Sequence, residues 1–276
     1  MKKTFFSSIV TAAMSVLLLA FSGCMSTTEG GEVGANRKQM MLISEAQMEA
    51  SANESYAEVL ADAKKKGVLL PASDPQSQRV KAIATRLIGK TTVFRSDAKD
   101  WKWQVNVIKD ETVNAWCMPG GKIVVYTGII DALKLTDGEL AAVMGHEIAH
   151  ALKEHSRKQA SKEVLQELGV AVIATAAGLG DAGTAMLQIG TQLGVTLPFS
   201  RKCETEADHM GTELMARAGY DPYEAVNIWE KMNALGGGQP PEVLSTHPSN
   251  DSRISDLKSI AKKVYPLYES AKQAAK

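Results

Sequence analysis

His146-Glu147-Ile148-Ala149-His150 is the stretch that decides how this chain reads. On an α-helix, residues four apart lie about 40° apart on one face, so His146 and His150 present two imidazoles side by side. Two rings placed this way hold one Zn2+ at about 2.0–2.1 Å each. Glu147 sits about 100° round the helix from His146. It is badly placed as a third ligand but close enough to reach a water on the metal. The metal acidifies the water and the carboxylate takes its proton, which is why the chemistry needs these residue types at this spacing. The chain holds only five His, so two of them flanking a Glu in this register are not expected by chance. The required helix is also present. Thr136 followed by Glu139 is a capping-box signature, and Leu140, Val143, Met144 and Leu152 carry the helix to about Arg157.

A catalytic zinc needs a third protein ligand. The extended pattern HExxHxxGxxH fails, because Lys153 and Ser156 stand at its last two positions. His155, placed on the opposite side of a continuous helix, reads as solvated. Downstream, Cys203-Glu204-Thr205-Glu206-Ala207-Asp208 offers a carboxylate instead. Glu204 and Asp208 are four apart and share a face. Glu204 is the candidate third ligand, and Asp208 can accept a hydrogen bond from the far nitrogen of a ligand imidazole, fixing its tautomer. Glu206 reads as a surface charge, and His209 as turned away.

Upstream of the motif the period changes. Trp103–Ile108 alternates as a half-buried strand does, Val113–Trp116 is a second short strand, Met118-Pro119-Gly120-Gly121 is turn chemistry, and Lys122–Tyr126 is a third strand. These predict a small antiparallel sheet just before the key helix. Around them the pattern is helical. Ser44-Glu45-Ala46-Gln47 opens a helix to Lys66, Gln76–Gly89 is a second, and others start near Ser200, at Asp221-Pro222 and near Asp251. The apolar piece Leu168–Leu179 is short for a membrane span. The fold class is α+β, a mainly helical metallopeptidase domain with a small antiparallel sheet.

The two ends read differently. Met1-Lys2-Lys3, an apolar run and Phe21-Ser22-Gly23-Cys24 have the form of a bacterial secretory leader. The small residues before Cys24 resemble a lipobox, with Phe21 where Leu is usual. Residues 1–23 are expected as a lipoprotein signal peptide, with Cys24 the lipidated first mature residue. Met25 in place of Asp points away from inner-membrane retention. Residues 24–40, rich in Ser, Thr, Gly and Glu, are expected as a flexible tether. The domain is expected over 41–265, with a tail over 266–276. A formal net charge of 0 and the absence of a basic patch exclude a nucleic-acid partner.

HEIAH, with ETEAD some way downstream, resembles the gluzincin peptidases related to HtpX and the CAAX prenyl endopeptidases. Val113-Asn114-Ala115-Trp116-Cys117-Met118-Pro119-Gly120-Gly121 with Tyr126-Thr127-Gly128, and His247-Pro248 with Arg253, resemble two further elements of that family. The resemblance spans about residues 40–262, and its lipobox and cysteines fit a lipid-anchored, periplasmic branch. It implies that Asn114 and Ala115 lie on an edge strand that pairs with extended substrate. It implies that His247 faces the metal, either steadying the oxyanion or sitting on zinc as a removable fourth ligand, with Arg253 in support. It implies that 164–198 covers the cleft, and it allows a Cys117–Cys203 disulfide. The expected activity is zinc-dependent hydrolysis of unfolded or damaged envelope proteins, with Glu147 as general base. The expected partners are polypeptides, the outer membrane through the lipid anchor, and outer-membrane assembly machinery. The alternatives are a chaperone for that assembly with a latched zinc site, and an amidase using the same chemistry.

Overall fold

The computed structural model describes residues 24–176, 199–234, 245, 247 and 251–274, for 167–176 and 251 the backbone alone. The expected signal peptide, most of the 164–198 cleft cover and most of the loop around His247 lie outside those residues. Eight helices carry the described chain: α1 (Glu45–Lys65), α2 (Pro75–Ile88), α3 (Thr127–Leu133), α4 (Asp137–Leu152), α5 (His155–Ala176), α6 (Arg201–Arg217), α7 (Glu224–Ala234) and α8 (Asp251–Ala274). The strands are β1 (Cys24–Met25), β2 (Gln39–Met40), β3 (Gln104–Ile108), β4 (Ala115–Met118) and β5 (Lys122–Tyr126).

Helix α4 forms the centre. Both expected capping boxes are present: Thr136 with Glu139 opens α4, and Ser44 with Gln47 opens α1. Each cap contributes about 1 kcal/mol. Leu140, Met144, Ile148 and Leu152 on α4 are fully buried, and small residues (Ala141, Ala142, Ala149, Ala151) fill the rest of its surface. A helix buried on nearly every face, polar residues included, must be enclosed on every side, and α2, α6, α7 and β4 enclose this one. Glu139 is buried as well, where its carboxylate accepts from the Thr136 amide and pairs with Lys231 Nζ at 2.6 Å.

The sheet differs from the expected antiparallel one. Its strand order is β3-β5-β4, with β3 parallel to β5 and β4 antiparallel to it. The tight Pro119-Gly120-Gly121 turn pairs β4 with β5, both glycines taking positive φ. Six residues separate β3 from β4, yet the two do not form a hairpin, and β5 lies between them. Among the described residues β4 is an edge, packed beside α4. A bridge from Leu69 to Ile108 covers the far side of β3.

Three other expectations are corrected. Helix α4 stops at Leu152 rather than near Arg157, because Glu154 takes a left-handed backbone (φ 55°) and α5 restarts at His155. The helix α8 runs through Pro266 to Ala274, so no separate tail begins at 266. Residues 24–40 are no loose tether. Strands β1 and β2 pair, Thr28, Ala35 and Gln39 are buried, and Glu213 accepts hydrogen bonds from the Glu32 and Val33 amides. Lys153, wholly buried, donates from Nζ to Thr28 Oγ1 and to the carbonyls of Ala35 and Arg37. A polar segment that looks solvated in composition spends its hydrogen-bonding groups on these partners instead.

Candidate metal centre

Helices α4 and α6 cross at two glycines. A Cβ on Gly211 would stand 2.7 Å from the His146 amide nitrogen, and one on Gly145 would stand 2.9 Å from the Gly211 carbonyl oxygen. Only glycine permits this approach at both positions, and it brings the Glu204–Asp208 face of α6 against His146. The sequence reading picked out the ligands but not this glycine pair, whose signal is a Gly one residue before the first motif His and another three after Asp208.

His146, His150, Glu204 and His247 converge, with one ligand atom from each lying within 4.8 Å of the others. His146 Nε2 is 3.1 Å from His150 Nε2, 3.3 Å from His247 Nδ1 and 3.4 Å from a Glu204 oxygen. Glu204 is 3.5 Å from His150 Nε2 and 3.1 Å from His247 Nδ1. A tetrahedron with zinc–ligand bonds of about 2.0–2.1 Å has edges of about 3.3–3.4 Å. With either Glu204 oxygen as the fourth donor, four of the six edges fall at 3.1–3.5 Å, close to tetrahedral spacing. Ring nitrogens and carboxylate oxygens in such an arrangement have no hydrogens to share among themselves in sufficient number. A cation between them satisfies all four at once, and borderline-soft zinc suits an imidazole and carboxylate set.

The surroundings fix the tautomer of His146. Its Nδ1 lies 3.0 Å from Asp208 Oδ1, and an ionised carboxylate only accepts, so Nδ1 carries a hydrogen, and with a metal in place Nε2 would turn its lone pair inward. Asp208 is in turn gripped by Arg253 through two contacts, Nε–Oδ2 at 2.6 Å and Nη2–Oδ1 at 2.7 Å. Arg253 also reaches Glu204 at 3.0 Å and stacks 3.6 Å above the Trp229 ring. The planar guanidinium serves both carboxylates, which an ammonium could not do.

The charges of the site follow from these contacts. Burial works against a charged His146, yet the Asp208 and Glu204 carboxylates outweigh it and push its pKa up to about 9. The same negative potential would attract a metal cation. Burial raises the carboxyl of Glu204, but hydrogen bonds from His146 and His247 more than offset this and hold it far below the usual range. Burial raises Glu147, which is 4% exposed and stands 3.5 Å from His247 Nε2. A carboxylate whose pKa rises toward neutrality is better suited to take a proton and give it back.

His155 was read as solvated and Glu206 as a surface charge; both are wrong. The break after Leu152 turns His155 back under the site, where it is fully buried, with Nδ1 at 3.0 Å from His150 Nδ1 and Nε2 at 3.3 Å from Glu206 Oε2. Arg37 holds Glu206 from the other side at 2.7 and 2.6 Å. Phe199 stacks on His150 at 4.3 Å. His209 is turned away as expected, paired with Asp256 at 2.6 Å.

Cys117 and Cys203 are separate thiols. Cys117 lies in β4 beside Glu147, and burial followed by that charge pushes its pKa well up. Cys203 faces α5, with Lys158 Nζ at 3.0 Å and Ser200 Oγ at 3.2 Å. At the edge strand, the Asn114 carbonyl accepts from Tyr126 N. By the alternation of an antiparallel pair, the backbone groups of Ala115 and Cys117 then point to the open edge. Asn114 Oδ1 accepts from Ala115 N at 2.9 Å, so the Ala115 amide is already engaged by the neighbouring side chain.

Comparison with known proteins follows this geometry. The description "Peptidase family M48" matches residues 74–261. The chain is 37% identical over 208 residues to the mitochondrial metalloendopeptidase OMA1 of Schizosaccharomyces pombe, covering 75% of this chain and 58% of that protein. It is 40% identical over 151 residues to the OMA1 of Arabidopsis thaliana, covering 55% and 30%. It is 29% identical over 194 residues to the beta-barrel assembly-enhancing protease of Escherichia coli, covering 65% and 39%. The chain thus spans about three fifths or less of the length of these relatives.

Proposed function

The chain belongs to peptidase family M48, and on that premise we propose that it is a zinc-dependent endopeptidase acting on unfolded or damaged polypeptides of the cell envelope. The spacing of His146, His150, Glu204 and His247 is the observation that carries this reading. The resemblance of the lipobox and cysteines to the outer-membrane lipoprotein LoiP (YggG) supports a lipid-anchored position facing the periplasm, and the bacterial relatives named as beta-barrel assembly-enhancing proteases support a place in the cell envelope. No helix of the described residues is long and apolar enough to cross a membrane.

In this reading His146, His150 and Glu204 hold the metal, and Asp208 with Arg253 fixes the orientation of His146. Zinc, when bound, supplies the Lewis acidity that polarises a carbonyl and acidifies a water. Glu147 takes the proton from the attacking water and returns it to the departing nitrogen. The outward carbonyl of Ala115 and backbone groups of Cys117 would pair with an extended peptide and lay its carbonyl across the site. His247 would be a fourth donor in a resting enzyme, and moving it aside would leave the open position that catalytic zinc sites keep for substrate.

The closed four-donor set also suits a chaperone with a latched metal. Glu147→Gln separates the two readings. The peptidase reading expects full zinc content and no cleavage of an unfolded protein, with loss of envelope function in cells. Full envelope function in that variant would overturn it in favour of the chaperone. His247→Ala is expected to raise cleavage.

A further inference from the structure

The chain of contacts behind His150 has no part in the site as proposed so far, yet every member of it is buried or gripped. His150 Nδ1 meets His155 Nδ1 at 3.0 Å, His155 Nε2 meets Glu206 Oε2 at 3.3 Å, and Glu206 takes both arms of Arg37 at 2.7 and 2.6 Å. With the fully buried His155 uncharged, hydrogen bookkeeping along this chain has a single solution. Arg37 only donates, and the Glu206 carboxylate only accepts. His155 must therefore donate from Nε2. A neutral imidazole carries one hydrogen, so His155 Nδ1 is a lone pair and accepts from His150 Nδ1. That leaves His150 Nε2 as a lone pair, and Nε2 is the atom that faces His146 and Glu204. His155, Cys203 and Glu206 also lie close enough to be considered as a metal set of their own. The cations Arg37 and Lys158 already stand against Glu206 and Cys203, which disfavours a second metal there.

We propose that Arg37, Glu206 and His155 are positioning residues for the zinc centre, and that the segment following Cys24 thereby takes part in holding the metal. Arg37 lies in the N-terminal segment, which is strapped to the domain by Lys153 and Glu213. The segment brings its arginine to the one carboxylate that sets the hydrogen on His155. His150 then has the arrangement that Asp208 gives His146, reached through one more ring. Outer partners of this kind are worth about 10–100-fold in metal affinity.

The proposal rests on the zinc reading of the site, and the experiment keeps the two apart. The rate at which zinc passes from the loaded full-length protein to a chelator is measured for wild type, His155→Phe, His155→Asn, Glu206→Gln and Arg37→Ala, together with the melting temperature of each zinc-free protein. Asn keeps an acceptor oxygen near the position of Nδ1, while Phe keeps the ring that packs by Phe199 but offers no acceptor. The expected result is release about 10–100-fold faster in His155→Phe, a smaller change in His155→Asn, and intermediate changes in Glu206→Gln and Arg37→Ala. If His155 only fills space, the order reverses and Phe holds zinc better than Asn, which overturns the proposal. Release unchanged in all four variants also overturns it while leaving the zinc site standing. A wild-type protein that binds no zinc overturns both.

Discussion

The two imidazoles of the HExxH helix are held from opposite sides by unlike means. His146 is held by Asp208 and Arg253, the carboxylate and the arginine both almost fully buried. His150 is held by His155, then Glu206, then Arg37, whose side chain is 33% exposed. The first arrangement is short and dry, while the second is longer and ends near solvent. The difference teaches that the pair is asymmetric. The His146 side is where removal of a partner strands a buried charge, and the His150 side is where the N-terminal segment reaches the site.

Asp208→Ala breaks the comparison hardest. It leaves Arg253 buried with one of its two carboxylates gone, a change that costs about 3–5 kcal/mol. Urea unfolding of the metal-free protein should show that loss, with zinc binding weakened in addition. Glu206→Ala should cost clearly less, because water can reach Arg37. Equal losses for the two variants would remove the asymmetry.

Gly211→Ala tests whether the close crossing of α4 and α6 sets both sides together. The added methyl meets the backbone of His146 rather than a flexible side chain. The expected penalty is about 1–3 kcal/mol from overpacking, in place of the gain that Gly→Ala gives in an open helix. Zinc affinity should fall with it, since Glu204 and Asp208 move away from both imidazoles. A stabilised variant with unchanged zinc affinity would show that the crossing tolerates a wider spacing.

Lys153 gives the smallest and most selective test, confined to the His150 side. Burial takes its ammonium out of water and pushes its pKa down from 10.5 to about 8. Below about pH 8 the group is charged whether folded or unfolded, and the cost of burying the charge is present in full. Between pH 8 and 10.5 the unfolded chain binds a proton that the folded chain has shed, so stability rises with pH in that window. Wild type should therefore gain on Lys153→Met between pH 8 and 10.5 in thermal melts. A constant difference across the window would mean that Lys153 titrates normally.

Much of the His146 side was legible in the sequence, and little of the His150 side was. HExxH and the Glu204–Asp208 spacing are helical periodicities read one element at a time, while Arg253 came only with the family resemblance. His155 was misplaced because Lys153-Glu154 carries no Gly or Pro to mark a break. The side chain of the left-handed Glu154 is held by Arg157 three residues on at 3.0 Å and, from a distant part of the chain, by Arg95 at 3.5 Å. Arg37 and Glu206 are 169 residues apart, so no local pattern could join them. The same limit explains the sheet. The strands were visible from alternation and turn chemistry, but the insertion of β5 between β3 and β4 depends on packing against α4. The packed state of 24–40 was hidden for a further reason: its Ser, Thr and Glu composition suits a solvated linker and a hydrogen-bonded strap equally well.

X-ray absorption at the zinc edge of the loaded wild-type protein tests the central claim most directly. One zinc per chain is expected, with nitrogen and oxygen ligands at about 2.0–2.1 Å and the outer-ring scattering of three imidazoles, falling to two in His247→Ala. A sulfur ligand at about 2.3 Å would contradict the account by placing the metal at Cys203 instead, and failure to load zinc at all would contradict it outright.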